Sequence, residues 1–378
     1  MRIVSLTPAS LDGDSRTRKE AASFARMGHE SVVVEAVRSA APPEDVELLT
    51  LSSVGESLAP TTAGANRRGR VERLAAALGR VAGPAYFLVS FAAFNLRTAR
   101  RLPKADLYWL HGYEQFPAVW LRRGRFVYDA HDVYAALHEG RDLPWRDRAV
   151  HALRDRVERA CARRAAARVT TSDAMARELE RRLGVPFSVV RNAQDTHLAR
   201  PSASGVRAAA GVADDAFCVV MVGHHKPGAV IPPRLPDGVE LVFVGARWPA
   251  GTRAVGPVPG DEVASFIAGA DAAALLYVPV DANSPTQLFN GLFHAVAAGL
   301  PVLWPTGMDA VRELCERHGL GVGVDPTDPE DVERGLRELR ERHDELAAAV
   351  RAAQAELSWA REEEALTDVL ATVQREYR

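Results

Sequence analysis

The stretch RIVSLTPASLDGDSRTRKEAASFARMGHESVVVEAV, residues 2–37, decides the fold class of this chain. It begins with an apolar run of strand length at 2–6, passes through a polar loop into an amphipathic segment typical of a helix, and returns to an apolar run at 31–37. A strand, a helix of roughly 10–15 residues and a second strand predict a parallel α/β sheet with helices on both faces.

The same alternation continues along the chain. The segment ARVTTSD, at 167–173, leads into a helix for which Ser172 or Asp173 is the expected N-cap. Further strands are predicted at 106–111, 126–131 and 187–193, and a second series at 217–223, 239–245, 271–278, 300–305 and 319–324. Two doubly wound, Rossmann-like domains facing a cleft are therefore expected.

Composition sets the domain boundaries. The predicted parts are an N-terminal domain (1–198), a C-terminal domain (199–355) and a terminal helical segment (356–378). Small and polar residues make 200–211 a linker candidate, and 54–70 lacks any apolar period and is expected to be a loop. Amphipathic helices are expected at 328–354 and 357–376.

The overall composition is that of a cytoplasmic, soluble protein. A chain of 378 residues is too long for one ordinary core, and its 47% hydrophobic and 25% charged residues are typical of globular proteins. It contains no apolar run of about 18 residues, and its N-terminal apolar run is too short for a secretion signal. Cys161, Cys218 and Cys315 are isolated, which indicates neither disulfides nor a zinc site. A bacterial-type cytoplasm is expected.

Charge is distributed unevenly. Residues 1–200 hold 32 Lys/Arg and 23 Asp/Glu, a balance of +9, whereas 201–378 hold 15 and 26, a balance of −11. The basic half would steer an anionic acceptor or touch the acidic inner face of a membrane. Alternatively, its arginines simply lie on solvent-exposed helix faces, and the sequence does not decide between these possibilities. No nucleic-acid partner is expected. The candidate for peripheral membrane contact is 141–168, with the apolar side chains Leu143, Trp145, Val150 and Leu153.

Ligands of doubly wound sheets bind beyond the carboxyl ends of the strands, which directs attention to the loops there. In the first such loop, TPASLDGDSR at 7–16, Gly13 permits close backbone approach and Asp14 or Ser15 is a candidate N-cap. The loop has no GxGxxG, so a dinucleotide fingerprint is absent. His131 follows the strand within YDAHD and is able to donate to a phosphate or sugar hydroxyl. His111, at the end of the preceding strand, is a weaker candidate.

Two loops of the second half carry the pattern of an anion site. In VGHHKPG, residues 222–228, His224 and Lys226 offer cationic donors for a diphosphate, whereas His224 and His225 diverge and do not suggest a metal site. The second loop, DANSPTQLFNG at 281–291, leads into a helix whose first N–H groups form an anion cradle. His294 on that helix is either packed in the core or faces a ligand. Asn192, in RNAQD at 191–195, ends the first domain.

Several enzyme classes are excluded by missing motifs. The chain has no Ser-His-Asp order, GxSxG, Walker A or HExxH, so hydrolase and P-loop functions have no support.

Six segments, in order, resemble the GT-B glycosyltransferases of the large retaining group that uses nucleotide-sugar donors, similar to glycosyltransferase family 4. The segments are DSRTRKEAASFARMGHESVVV, FVYDAHDVY, VTTSDAMARELERRLGVPFSVVRNAQD, VGPVPGDEVASFIAGADAAALLYVP, LFHAVAAGLPVL and ELSWAREEEAL. The resemblance runs nearly from end to end. It implies that the N-terminal domain binds the acceptor, that the C-terminal domain binds the nucleotide sugar, and that the last helix crosses back onto the first domain.

The resemblance also assigns residues. His131 matches the histidine that contacts the transferred sugar, and Lys226 falls near a basic pair that clamps the diphosphate, with His224 where arginine is usual. The remaining candidate donor-binding residues are Gly13, Asn283, Ser284, Pro285, Thr286, Gln287, Asn290 and His294. The candidate acceptor-side residues are Asp14, Arg16 and His111, and the loops at 54–70 and 134–147 are expected to hold the acceptor.

The chain departs from the family at two donor-site positions. Two glutamates eight positions apart are common there, and Thr286 and His294 stand in their places. A neutral imidazole offers one acceptor or one donor, so it does not replace a carboxylate that accepts from both ribose hydroxyls. A change in donor affinity or donor choice is expected.

The expected reaction is transfer of a sugar from a UDP-, GDP- or dTDP-sugar to a small-molecule, glycan or lipid acceptor, with retention, without a metal and without a cofactor. The alternatives are an epimerase of the same fold, which would release free sugar, and a non-catalytic partner of another transferase.

Overall fold

The computed structural model describes residues 1–36, 38–39, 42–51, 70–195 and 205–375. Most of the predicted loop at 54–70 and the first part of the predicted linker, 200–204, lie outside the described residues. The chain forms two compact units. The first comprises Met1–Thr170, Leu179–Ser188 and Val369–Arg378, and the second comprises Thr171–Glu178 and Val189–Asp368. The domain boundaries at 198 and 355 stay predictions. The division into compact units falls elsewhere, since Val189–Asp368 is one continuous part of the second unit.

The first unit contains a seven-stranded sheet in the order β3-β2-β1-β4-β5-β6-β7. Its strands are β1 (Arg2–Thr7), β2 (Glu30–Glu35), β3 (Val46–Thr50), β4 (Leu107–His111), β5 (Phe126–Ala130), β6 (Ala167–Thr170) and β7 (Ser188–Val189). The helices are α1 (Ser15–Arg26), α2 (Arg70–Arg101), α3 (Phe116–Leu121), α4 (Trp145–Arg164) and α5 (Asp173–Leu183), the last shared between the units. The pairings among β1 to β6 are parallel, and β4 and β5 are buried at every residue.

The second unit contains a six-stranded sheet in the order β10-β9-β8-β11-β12-β13. Its strands are β8 (Phe217–Val222), β9 (Val239–Val244), β10 (Ala254–Val255), β11 (Ala272–Ala274), β12 (Val302–Pro305) and β13 (Gly321–Val324). Its helices are α6 (Val206–Ala210), α7 (Val263–Ile267), α8 (Asn290–Ala298), α9 (Asp309–His318), α10 (Pro329–Glu341), α11 (His343–Ala353) and α12 (Trp359–Arg375). Every pairing in this sheet is parallel.

Each of the two sheets has one point at which the strand order reverses. Strand order reverses between β1 and β4 in the first unit and between β8 and β11 in the second. Such a switch point leaves a crevice at the carboxyl ends of the two strands, because their connections run to opposite sides. The prediction of two doubly wound, Rossmann-like sheets is therefore confirmed.

The last helix contributes to the first unit as well. Val369–Arg378 belongs to that unit, where the Arg125 guanidinium donates to the Val373 carbonyl and Gln374 Nε2 lies 3.6 Å from Met1 Sδ. This agrees with the expectation that the terminal helix returns to the first domain.

Several element predictions need correction. The helix expected at 328–354 is two helices that meet at Arg342, and the end of the predicted linker forms α6. The strand expected at 271–278 ends at Ala274, because the chain then leaves the sheet and Tyr277 makes an antiparallel bridge with Ala229. The strand expected at 187–193 is reduced to β7. The edge strands β3 and β10 and the helices α2 and α3 were not predicted; β3 is only five residues long and mostly half-exposed.

In the described part of the chain, no helix combines the length and the hydropathy that crossing a membrane would require.

Candidate active site

The switch point of the first sheet gathers a network of charged side chains around Asp129, the fourth residue of β5. Arg16, near the start of α1, binds both carboxylate oxygens of Asp129, with Nε 2.8 Å from Oδ2 and Nη2 2.9 Å from Oδ1. The same guanidinium lies 3.0 Å from Glu20 Oε1, one helical turn further along α1. All three side chains are buried. A buried carboxylate held by a bidentate arginine is a rigid feature.

Two histidines complete this network. His111 Nδ1 lies 3.0 Å and His131 Nε2 lies 3.1 Å from Asp129 Oδ2, and the two ring nitrogens are 3.3 Å apart. On its other side, His111 Nε2 is 3.8 Å from Glu20 Oε2. Of these side chains only His131 reaches the surface of the unit, with 28% of its side chain exposed. His131 is thus the member of the network that is able to meet a ligand.

The network shifts the proton affinities of its members. Burial would raise the pKa of Asp129, but the charges of Arg16 and His131 and the histidine hydrogen bonds outweigh it and hold that pKa well below the usual value. Burial would lower the pKa of His131, but the neighbouring Asp129 carboxylate raises it above the ordinary histidine value. Burial dominates at Glu20 and raises its pKa to about 7, against the opposing charge of Arg16. The site therefore favours a cationic His131.

The loop after β1 is fixed next to this network. Asp14 is the N-cap of α1, since its Oδ1 accepts from the Thr17 N–H at 3.0 Å, and Thr7 Oγ1 donates to its Oδ2 at 2.9 Å. Burial acts to raise the pKa of Asp14, but the charges of His111 and His131 and the bonds from Thr17 lower it. The capping role predicted for Asp14 is confirmed.

Gly13 lies in open space in the same loop. It ends a 3-10 helix, Leu11–Gly13, and a Cβ at this position would meet no atom within 4 Å. Glu35, at the end of β2, holds the loop by accepting the Leu11 N–H at 3.2 Å and the Ser39 N–H at 2.8 Å. Room for a ligand exists at Gly13, and its donor-binding role stays a prediction.

His111, Asp129 and His131 also have the spacing of a metal site, with one candidate ligand atom each within 4.8 Å of the others. The chemistry of the set is less suitable. Arg16 occupies both oxygens of Asp129, so a divalent cation would face a guanidinium across the same carboxylate. The three groups fit a hydrogen-bonded network better than a metal centre.

The acceptor-side roles assigned to Arg16 and His111 stay predictions. The structure places both side chains beneath His131, with 3% and 2% exposure, where they bind Asp129. Their position makes them supports of His131.

The switch point of the second sheet is built by close backbone approaches. Gly245 follows β9 with φ +140°, and a Cβ there would lie 2.0 Å from the carbonyl oxygen of Gly223, the residue after β8. Gly291, in the first turn of α8, would place a Cβ 3.0 Å from the Val222 carbonyl oxygen. Glycine at these positions lets the start of α8 and the loop after β8 come together.

Lys226 brings a positive charge to this place. Its Nζ lies 4.6 Å from the ring centroid of Phe289, the N-cap residue of α8, and 5.0 Å from that of Tyr277. Lys226 is exposed, as is His224, whose Nδ1 lies 3.4 Å from the Ala246 N–H nitrogen. A cation held over aromatic rings next to a helix N-terminus is an arrangement that favours an anion.

The loop before α8 is held by its own side chains. Asp281 Oδ1 accepts from the N–H groups of Asn283 and Ser284 at 3.1 and 2.8 Å and from the Ser284 hydroxyl at 2.7 Å. Thr286 donates its hydroxyl to the Asn283 carbonyl at 2.8 Å, and its own carbonyl accepts from Ser172 Oγ at 2.6 Å. Asn283, Ser284 and Thr286 are buried, so they shape the loop rather than line an open surface.

The remaining predicted donor residues differ in exposure. Pro285 and Gln287 are half-buried, and Asn290 is exposed at the start of α8, where its Oδ1 accepts from Asn192 Nδ2 at 2.8 Å. His294 is 7% exposed, in the second turn of α8. Its side chain is packed, and its ribose-facing role stays a prediction.

Four residues that organise these sites were not predicted from the sequence. Asp129 stands two residues before His131, and alternation along a strand was the available signal that both point to one side. Glu20, Tyr277 and Phe289 carried no local signal, because their roles depend on packing between distant segments.

Comparisons with known proteins agree with this architecture. Residues 14–193 match the family model described as glycosyl transferase 4-like domain, and residues 230–363 match that described as glycosyl transferase-like. No curated protein is close enough in sequence to count as a relative.

Solved structures share the fold at low sequence identity. Sucrose-phosphate synthase from Thermosynechococcus elongatus has 14% identity and a TM-score of 0.69, with 100% of both chains covered. Anabaena HepE, solved with UDP and glucose, has 16% identity and a TM-score of 0.66, with 98% of this chain and 100% of its own covered. WaaG, a glycosyltransferase of lipopolysaccharide biosynthesis, has 16% identity and a TM-score of 0.59, with 97% and 99% covered. Since two glycosyltransferase family models match residues 14–193 and 230–363 of a chain with two Rossmann-like sheets, the chain belongs to the GT-B glycosyltransferases.

Proposed function

We propose that this glycosyltransferase moves a sugar from a nucleoside-diphosphate sugar to a small-molecule, glycan or lipid acceptor, with retention of configuration. The observation that carries the proposal is the position of Lys226, whose Nζ lies over Phe289 at the first turn of α8. The helix N-terminus and the ammonium group reinforce each other there as a site for the diphosphate.

The donor-binding role belongs to the second unit. HepE was solved with UDP and with UDP-glucose, which makes a uridine diphosphate sugar the first donor to test. GDP- and dTDP-sugars are the alternatives, because histidine stands at position 294 where the family commonly has a glutamate for the ribose.

The chemical step needs stabilisation of the departing diphosphate. Lys226, His224 and the first N–H groups of α8 supply positive charge to it, so neither a metal nor a cofactor is required in this proposal. His131 contacts the transferred sugar, with its ring oriented by Asp129 and His111. The Asp129 carboxylate raises the pKa of His131 against the effect of burial, which extends the protonated, donating form of the ring to higher pH.

A calorimetric panel of UDP, GDP and dTDP and their sugars tests the donor site, in the presence of EDTA. We expect one nucleotide series to bind. Lys226→Ala should weaken that binding at least tenfold, since a charge-assisted contact is worth about 1.5–3 kcal/mol, whereas Lys104→Ala, an exposed lysine of the first unit, should not. Absence of binding by every nucleotide would remove the transferase proposal.

Turnover measurements separate the role of His131 in sugar transfer from the role of Lys226 in nucleotide binding. His131→Ala should leave nucleotide affinity within about twofold and lower acceptor-dependent turnover at least tenfold, since loss of a positioned proton donor typically costs about 10²–10⁴-fold. Release of free sugar without an acceptor, at the full rate, would instead indicate the epimerase alternative. Normal turnover by His131→Ala would contradict the assignment of His131.

A further inference from the structure

The outer surface of the helices α2, α3 and α4 carries most of the exposed apolar side chains. Eight large apolar side chains are exposed in the described part of the chain, and six of them belong to these helices. The six are Leu88 (49% exposed), Val89 (70%), Leu96 (44%), Trp120 (56%), Leu121 (53%) and Trp145 (63%). Single exposed apolar residues are normal, but a group of them on one helix layer marks an interaction surface.

These helices form one layer of the first unit. The Ala118 N–H of α3 donates to Asn95 Oδ1 of α2 at 3.0 Å, and the Arg154 guanidinium of α4 lies 5.1 Å from the Phe87 ring centroid of α2. From β3 to β6 the chain advances across the sheet in one direction, so right-handed crossovers place α2, α3 and α4 on the same face.

Positive charge surrounds the apolar side chains on α2 and α3. Among the described side chains of α2 and of the turn that follows α3, the exposed arginines are Arg97, Arg100, Arg101, Arg122 and Arg123. No Asp or Glu occurs at 85–101 or 116–125. The arginines of α10 differ, since Arg334 pairs with Asp331 and Glu338 on its own helix. We name the five arginines, with Leu88, Val89, Leu96, Trp120 and Leu121, the basic apolar face.

We infer that the basic apolar face docks on the surface of an anionic phospholipid bilayer. Tryptophan and leucine side chains enter the headgroup region, and arginines on the same surface bind lipid phosphates while their stems stay apolar. A second copy of the chain fits this face poorly, because face-to-face contact would bring two sets of arginines together without carboxylates from either set.

This surface differs from the segment that the sequence indicated. Of the apolar side chains in 141–168 considered for lipid contact, only Trp145 is exposed; Leu143, Val150 and Leu153 are partly buried. The helix α4 also carries the exposed acid Asp147. The structure therefore moves the centre of the membrane contact from α4 to α2 and α3.

Vesicle co-sedimentation of the full chain tests the inference without any substrate. Vesicles of phosphatidylcholine that contain about 30% of the anionic lipid phosphatidylglycerol are compared with vesicles of pure phosphatidylcholine. We expect binding to the anionic vesicles that weakens with added salt. Arg122→Gln/Arg123→Gln should lower the partition coefficient about 30-fold, since each arginine near an anionic surface is worth about fivefold. Trp120→Ser/Leu121→Ser should lower it at least tenfold.

Matched controls come from the second unit. Arg337→Gln/Arg340→Gln removes the same charge from exposed positions of α10, and Val280→Ser removes an exposed apolar side chain. Neither should change the partition coefficient, and circular dichroism should show every variant folded. The inference is overturned if the wild type does not prefer anionic vesicles. It is equally overturned if Arg122→Gln/Arg123→Gln and Trp120→Ser/Leu121→Ser bind the vesicles as the wild type does. It is also overturned if Trp120→Ser/Leu121→Ser abolishes a dimer seen by sedimentation equilibrium but leaves vesicle binding intact.

Discussion

His131 meets solvent, and the buried Asp129 beneath it sets its charge. In an NMR titration of the histidine rings, we expect the His131 midpoint to lie above the ordinary value of about 6.5. Asp129→Asn should lower it, because burial and the nearby Arg16 are then opposed by the smaller effect of Asp14 and no longer by Asp129. His318, in the second unit, serves as the internal control. A His131 midpoint that is the same in Asp129→Asn as in the wild type would contradict the pairing of His131 with Asp129.

Glu20 predicts a pH dependence of stability. In the unfolded chain this carboxyl ionises near its usual value of 4.5, whereas burial raises its folded pKa to about 7. Folding therefore takes up a proton between these values, and the free energy of unfolding falls as pH rises through this window, by on the order of 3 kcal/mol for this group. Glu20→Gln should be close to the wild type at pH 5 and more stable than it at pH 8.

Urea unfolding at several pH values checks the prediction for Glu20. The matched control is Glu44→Gln, at an exposed position, which should follow the wild type at every pH. An equal loss of stability at pH 5 and pH 8 in Glu20→Gln would show that the carboxylate itself is needed by Arg16.

At the scale of elements, the site at the switch point of the second sheet depends on how closely the ends of β8 and β9 and the start of α8 approach one another. Gly245→Ala should destabilise the protein by at least about 2 kcal/mol, because a methyl group would overlap the Gly223 carbonyl at a φ that side chains rarely adopt. Gly256→Ala, where a Cβ meets nothing within 4 Å, should cost less than about 1 kcal/mol. Thermal unfolding of the two variants measures the difference, and similar melting temperatures would refute the tight approach.

At the scale of the whole molecule, each unit has its own sheet and its own switch point. If the second unit binds the donor, a nucleotide at 100 times its Kd should stabilise that unit by about 2.7 kcal/mol. Hydrogen exchange should then slow in peptides covering β8, the loop after it and α8, and stay unchanged in peptides covering β1 and β2. Protection confined to the first unit would reverse the assignment of the donor site.

The sequence alone determined the two parallel sheets and the loops in which ligands are expected. Apolar runs of strand length alternating with amphipathic stretches leave few other folds, because each element must bury its apolar face. Loops at strand ends then follow from topology, which is why the sequence alone makes His131 and Lys226 candidates for ligand binding. Short edge strands such as β3 were missed, since a half-exposed run of five residues has little periodicity to detect.

Only the tertiary structure decided which groups act together. Arg16 and Asp129 are 113 residues apart in the chain, and their pairing depends on where the fold places the start of α1 relative to the end of β5. The same holds for Lys226 over Phe289, which belong to different loops of the second unit. Local sequence patterns specify helices and strands through short-range geometry, whereas a buried charge network and an exposed apolar face are properties of how those elements pack.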